Sequence, residues 1–306
     1  MNNIYSYRMA LLCTEGKFSC AKSAEILENV SHDKLSRFLS TLNLNPQIDI
    51  KSLPKGGKIV VDDTSLSKMY AKYIEGIRYV YCSTLNKAIK GYTVIKIIYV
   101  HGNDIYNLED IIWDKAEGTK NEIIRSRLNS YYQASLEPEL VLFDLWYGAS
   151  ETFNMLHDFG WKYLCLTKRN RNLNGKRVDS YNYYGGKSLY GKAKGIGHKV
   201  QVAKHCKRYI ITNLDEPIMS HTGWRLYKER WTIETIFRDL KSFLHFEQCE
   251  SRTLIAQKNH IQACMGAYLF LRKKYPDKSI EASCRDFLRE FYSKKYTNQD
   301  VFELVA

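Results

Sequence analysis

The chain is short of several things. It has only five prolines among 306 residues, and its eight cysteines stand singly at 13, 20, 82, 165, 206, 249, 264 and 284, with no Cys-x-x-Cys pair. This argues against a disulfide-stapled secreted scaffold and points to reduced thiols, several of them buried. His198, His205, Cys206 and His221 come close in sequence, but their spacing fits no standard zinc pattern. No apolar run approaches the roughly 18 residues needed to cross a bilayer. The first twenty residues have too short and too polar an apolar centre for a signal peptide, so the expectation is a cytoplasmic protein with no membrane partner. Internal repeats and low-complexity tracts are absent. Acidic residues are scarce beside basic ones: 33 against 46, for a formal net charge of +13 and a pI near 9.2. Such an excess favours a polyanionic partner, with nucleic acid ahead of anionic membrane.

What is present suffices for a sizeable core, and the length suggests about two domains. Residues 1–45 read as three short helices, Ile4–Cys13, Cys20–Asn29 and His32–Leu42. The last two resemble a helix-turn-helix carrying Lys34 and Arg37; a small bundle that only packs on the main domain is the alternative. Residues 46–57, with Pro46 and Pro54, read as a linker. From Lys58 the character changes to apolar, β-branched runs: Lys58–Asp62, Gly76–Cys82, Gly91–Gly102 and Asp104–Asp114. A helix at 120–134, a buried strand ending at Asp144, an amphipathic helix stopped by Gly160 and a strand at 161–167 follow. The order βββ, α, β, α, β is that of the ribonuclease H-like fold, an α/β mixed sheet with flanking helices. It would span residues 58–275.

Residues 168–208 carry twelve Lys and Arg against one acid, Asp179, with interleaved tyrosines and six glycines. A β-rich insertion over about 168–215, suited to tracking a phosphate backbone, is expected here. The stretch Tyr227–Lys241, YKERWTIETIFRDLK, reads as one helix. Tyr227, Arg230, Glu234, Arg238 and Lys241 would share a face, with one carboxylate set among cations and a phenol. A second long helix at 254–275 and a helical tail at 276–306 complete the chain.

Asp62, or its neighbour Asp63, and Asp144 each stand where an apolar strand ends, and Glu234 lies on a helix 90 residues beyond Asp144. Such separation excludes a local metal loop and fits three elements converging. Three carboxylates suit the holding of two Mg²⁺ ions at a phosphodiester. Trp146 and Trp231 lie beside these positions. Core packing is their expected role, with stacking on an unpaired base as the alternative.

The spacing Tyr227-x2-Arg230-x3-Glu234-x6-Lys241 resembles the Tyr–Arg–Glu–Lys motif of insertion-sequence-4-like DDE transposases. VVDDTSLSK resembles their first-Asp segment and VLFDLWYGASETFNMLHDFGWKYLCLTKRN their second. The resemblance covers about residues 55–270. It implies cut-and-paste DNA transposition with two Mg²⁺ ions, or Mn²⁺ in their place. Asp62, Asp144 and Glu234 would be the catalytic, metal-binding triad, with Asp63 as the alternative to Asp62. Tyr227, Arg230 and Lys241 would hold phosphates near the transposon end, and Lys168, Arg169 and Arg171 would add DNA contacts. The implied partners are double-stranded DNA, both terminal inverted repeats and target, and a second copy of the chain on paired ends, in a prokaryotic nucleoid. The rivals are a nuclease on the same fold that cuts without joining, and a catalytically inactive DNA-binding relic. Arg238 shares the helix face but not the motif, and an ion pair is expected for it.

Overall fold

The computed structural model describes residues 3–41, 44, 48–82, 85–297 and 299–305. Leu42, at the end of the expected third helix, and residues 45–47, at the start of the expected linker, lie outside them. The N-terminal segment forms α1 (Asn3–Cys13), α2 (Cys20–Leu27) and α3 (His32–Thr41). Ser19 caps α2 by accepting the Lys22 amide, as a short hydroxyl side chain at that position should.

Four strands follow: β1 (Lys58–Ser67), β2 (Arg78–Cys82), β3 (Lys87–His101) and β4 (Asp104–Ile112). Next come α4 (Lys120–Gln133), β5 (Leu140–Phe143), α5 (Ser150–Asp158) and β6 (Tyr163–Thr167). The backbone order β4–β3–β1–β5–β6, with β1, β5 and β6 parallel, is the mixed ribonuclease H-like sheet. All four apolar runs read as strands form strands, one more than the three of the ribonuclease H-like order. The fifteen-residue β3 is longer than any partner; β2 pairs with its residues 87–91, and β4 with residues 94–101. Gly91 sits where β3 is flanked by β1 and β2, and a Cβ there would meet the Leu66 carbonyl oxygen at 2.0 Å, so only glycine fits.

The basic insertion does not form a separate unit. After a small hairpin, β7 (Asn172–Leu173) and β8 (Lys176–Arg177), it gives β9 (Leu189–Lys192), β10 (Lys199–His205) and β11 (Arg208–Thr212). The last of these pairs antiparallel with β6, so the insertion extends the same sheet. Among the described residues nine strands share that sheet.

Both faces of the sheet are covered, which explains why β1 and β5 read as unbroken apolar runs rather than alternating ones. Ile59, Val61, Val141 and Phe143 pack in the layer that includes residues of α4 and α5. Val60 and Leu142 pack in the opposite layer, with α7 (Trp231–Phe243) and α8 (Leu254–Lys274). The N-terminal helices and α9 (Ile280–Tyr296) belong to this second layer. Tyr7 on α1 and His260 on α8 are joined by a 2.8 Å hydrogen bond, and the Asn259 amide donates to the Leu39 carbonyl. In the same layer the fully buried Lys96, opposite Asp62 in the β1–β3 register, is ion-paired with Asp110 of β4.

The helix expected over Tyr227–Lys241 is divided into α6 (Ser220–Lys228) and α7. Glu229 and Arg230 keep helical backbone angles. Around them the bonds tighten to the i−3 carbonyl: Glu229 to Leu226, Arg230 to Tyr227, Thr232 to Glu229 and Ile233 to Arg230. Sequence periodicity does not register such a 3₁₀ step, because no glycine or proline causes it.

Candidate active site

The placement of the carboxylates follows from strand parity. Successive residues of a strand face opposite sides of the sheet. Asp62 follows Val60 in parity and faces the α7 layer; Asp63 follows Val61 and faces the α4 layer. Val61 pairs in parallel with Phe143, so Asp144, just past the C-terminal end of β5, stands beside Asp62. Asp62 itself lies within β1 and not at the strand end expected for it, because β1 runs on to Ser67 against β3. Asp144 opens the next turn by accepting the Trp146 amide at 2.8 Å. Glu234 comes in from the first turn of α7. All three line one cavity of about 820 Å³.

Arg230 joins two of them. Its Nη1 donates to Asp62 and its Nη2 to Glu234, while its Nε donates to the Tyr227 hydroxyl at 3.0 Å. The tightened turn between α6 and α7 sets Tyr227 and Arg230 three residues apart on one side, where this bond can form. Burial, reinforced by the nearby charge of Asp144, outweighs Arg230 and pushes the Asp62 carboxyl up to about 7. Burial likewise raises Asp144.

Asp63 has other partners. Lys120 Nζ donates to it at 2.8 Å and the Tyr147 hydroxyl at 2.6 Å. It ties β1 to the start of α4 and to the turn after Asp144. Lys241 lines the same cavity and donates to the Ser65 carbonyl at 2.7 Å. Arg238 turns away to Asp239 at 3.1 Å, the ion pair expected for it.

A second cavity, of about 580 Å³, shares Asp144, Arg230 and Glu234 with the first and opens towards the insertion. Lys168 and Arg169 line it. Arg171 does not: its guanidinium is turned inward to the Thr167 hydroxyl at 2.7 Å and the Gly148 carbonyl at 2.8 Å, and lies 5.4 Å from the Phe153 ring centroid. It braces β6 against the start of α5, so its guanidinium is engaged within the protein, a departure from the DNA contact expected of it. Lys207 and Arg208, at the β10–β11 turn, complete this cationic wall. The sequence shows them only as two of many cations in a basic run. Trp146 and Trp231 are 66% and 44% exposed, which corrects the expectation that they pack in the core.

The oxygen-only donor set of Asp62, Asp144 and Glu234 suits a hard divalent cation. Among the described residues no three His, Cys, Asp or Glu side chains stand close enough to enclose one, and Arg230 bridges Asp62 and Glu234. A further positive charge would favour the ionised form of Asp62, which burial now opposes.

The family model described as a transposase DDE domain matches residues 59–270. No curated protein sequence matches the chain. Among solved structures, the cryo-EM structure of a piggyBac transposase synaptic complex with hairpin DNA is similar at a TM-score of 0.56 and 12% identity. The match covers 100% of this chain and 77% of that one. At that identity the likeness speaks for the fold alone. The Drosophila P element transposase strand transfer complex matches at 12% identity over 94% of this chain and 64% of that one, with a TM-score of 0.33, too low to support an argument.

Proposed function

The chain belongs to the transposase DDE-domain family and is a DDE-type transposase, and we propose that it is an insertion-sequence-4-like member carrying out Mg²⁺-dependent cut-and-paste transposition. The observation that carries this reading is the meeting of Asp62, Asp144 and Glu234 around Arg230, between a cationic cavity and a second one. Asp62, Asp144 and Glu234 would hold two divalent ions, Mg²⁺ or Mn²⁺. When bound, such ions activate an attacking oxygen and stabilise the leaving oxygen of a phosphodiester.

The chain's own residues supply the rest. Lys168, Arg169, Lys207 and Arg208 hold the DNA backbone on the insertion side. Arg230 exchanges Glu234 for a phosphate oxygen at Nη2, a charge-assisted hydrogen bond of the same kind, while Nη1 stays on Asp62 and Nε on Tyr227. Tyr227 keeps that guanidinium aimed at the carboxylates, and Lys241 steadies β1 beside them while offering charge to the transposon end. Asp63 is a positioning residue, not a ligand. The substrates are DNA bearing terminal inverted repeats and a DNA target, and the working form is a homodimer on paired ends, in a prokaryotic nucleoid. The α2–α3 pair, with Lys34 and Arg37, is an additional DNA contact.

A strand-transfer assay with end-bearing DNA and Mg²⁺ tests the reading. The wild type should cut and join. Glu234→Gln should lower cleavage by about 100- to 1,000-fold, the scale of lost transition-state electrostatics, and leave DNA affinity within about twofold. Cutting without joining would make the protein a nuclease; binding without cutting by the wild type would make it a relic. Substantial cleavage by the variant would remove Glu234 from the triad.

A further inference from the structure

Lys207 and Arg208 stand at a hairpin tip that holds them poorly by itself. β10 and β11 close at the pair His205–Arg208, with only Cys206 and Lys207 between them. Cys206, Lys207 and Arg208 are all exposed, and Cys206 takes a left-handed backbone, φ 53°. Long cationic side chains that are free in water lose rotamer freedom when they meet a phosphate, and that loss weakens the contact.

A platform on α6 supplies the missing order. The His205 ring stacks on Trp224, with centroids 5.0 Å and planes 14° apart, and the Arg208 guanidinium lies 5.4 Å from the Trp224 ring centroid. A guanidinium over an indole face is attracted by the ring quadrupole. The indole itself is half-buried and packs against the core layer that holds α7 and α8. Trp224 lines neither cavity, so it reaches DNA only through the residues it touches.

The contacts continue towards the carboxylates. Residues three apart on a helix are neighbours on its surface. Three residues on from Trp224, the Tyr227 ring lies 5.7 Å away between centroids. Three further, the Arg230 guanidinium lies 5.3 Å from the Tyr227 ring centroid and clamps Asp62 and Glu234. His205, Arg208, Trp224, Tyr227 and Arg230 thus form one column from the hairpin tip to the carboxylates. Arg208 and Arg230, near its two ends, border the same cavity.

Resting on the transposase reading, we propose that Trp224 is a positioning residue for DNA. It seats the β10–β11 tip so that Lys207 and Arg208 meet the backbone in fixed register with Arg230.

The test uses the full chain and a fluorescent blunt duplex, with anisotropy read over a range of salt. Trp224→Leu keeps apolar bulk against the core but offers no π-face. With its fold checked by circular dichroism, it should lower the slope of log affinity against log salt by about 1 to 2 although it removes no charge, the share of Lys207 and Arg208. Trp224→Phe should restore the wild-type slope. Lys207→Ala/Arg208→Ala should give a loss similar to that of Trp224→Leu. Adding Trp224→Leu to that pair should change affinity by less than about twofold, because residues that act through one another do not add. Arg208→Lys leaves the core untouched and keeps the charge, yet should weaken binding by about threefold, since an ammonium does not reproduce a stacked guanidinium. An unchanged slope in Trp224→Leu, no rescue by Trp224→Phe, additive losses in the triple variant or wild-type affinity in Arg208→Lys would each overturn the positioning role and leave the transposase reading standing. Failure of the wild type to join strands, with these binding differences intact, would overturn the transposase reading alone.

Discussion

Two cavities meet over Asp144, Arg230 and Glu234, and they are built from different chemistry. The one towards β6 and β11 is walled by Lys168, Arg169, Lys207 and Arg208, supplied by one continuous basic segment. The one towards β2 is bordered by Tyr79, Tyr81, Trp113 and Trp146, drawn from three separate parts of the chain. The first suits charge spread along a backbone; the second suits flat, local, apolar surface. A single row of carboxylates can thus face two kinds of surface when its sheet is extended on one side by an insertion and on the other by a short edge strand.

The largest effect should come from replacing Lys168, Arg169, Lys207 and Arg208 together by Ala. The slope of log affinity against log salt for blunt duplex should fall by about 3 to 4, close to one for each phosphate that is no longer neutralised. A slope shift of similar size from Tyr79 and Tyr81 substitutions would erase the distinction between the two arms.

A smaller effect should come from Asp62→Asn. The folded-state Asp62 carboxyl is raised from 3.8 to about 7. The folded protein therefore holds a proton that the unfolded chain has released, and without divalent cation Asp62 costs stability increasingly as pH rises from about 4 to about 7, and fully above that. In chelator at pH 8, Asp62→Asn should raise Tm by a few degrees, about 2–4 °C for each kcal/mol. The gain should vanish near pH 4. A gain independent of pH would contradict the burial of Asp62 as the cause. The smallest effect should be that of Arg238→Ala. Its ion pair with Asp239 is exposed on the Arg side, so stability should change by less than about 0.5 kcal/mol and duplex affinity not at all. A measurable affinity loss would place DNA on a third face.

Much of this was legible in the sequence, for identifiable reasons. The strand and helix order follows from apolar runs and their breaks, and the cationic arm was visible because its charges lie in one segment. Asp62 is favoured over Asp63 in the sequence only because it directly follows the apolar run. Which layer each residue of β1 faces depends on the position of α7 relative to α4, which no local pattern carries. Lys120, Tyr79 and Tyr81 escaped for a similar reason, since nothing local ties them to Asp144. Arg171 was misplaced because its charge resembles that of its neighbours while its guanidinium braces Gly148. The step between α6 and α7 leaves no compositional mark, yet it sets Tyr227 against Arg230.

The central claim is that Asp62, Asp144 and Glu234, and not Asp63, hold a divalent cation against DNA. Mn²⁺ bound by the protein–DNA complex, followed by electron paramagnetic resonance, tests it most directly. We expect bound Mn²⁺ in the wild type and in Asp63→Asn, and at least about a tenfold loss of affinity in Asp62→Asn and Asp144→Asn. Mn²⁺ binding that survives Asp62→Asn and is lost in Asp63→Asn would contradict the assignment.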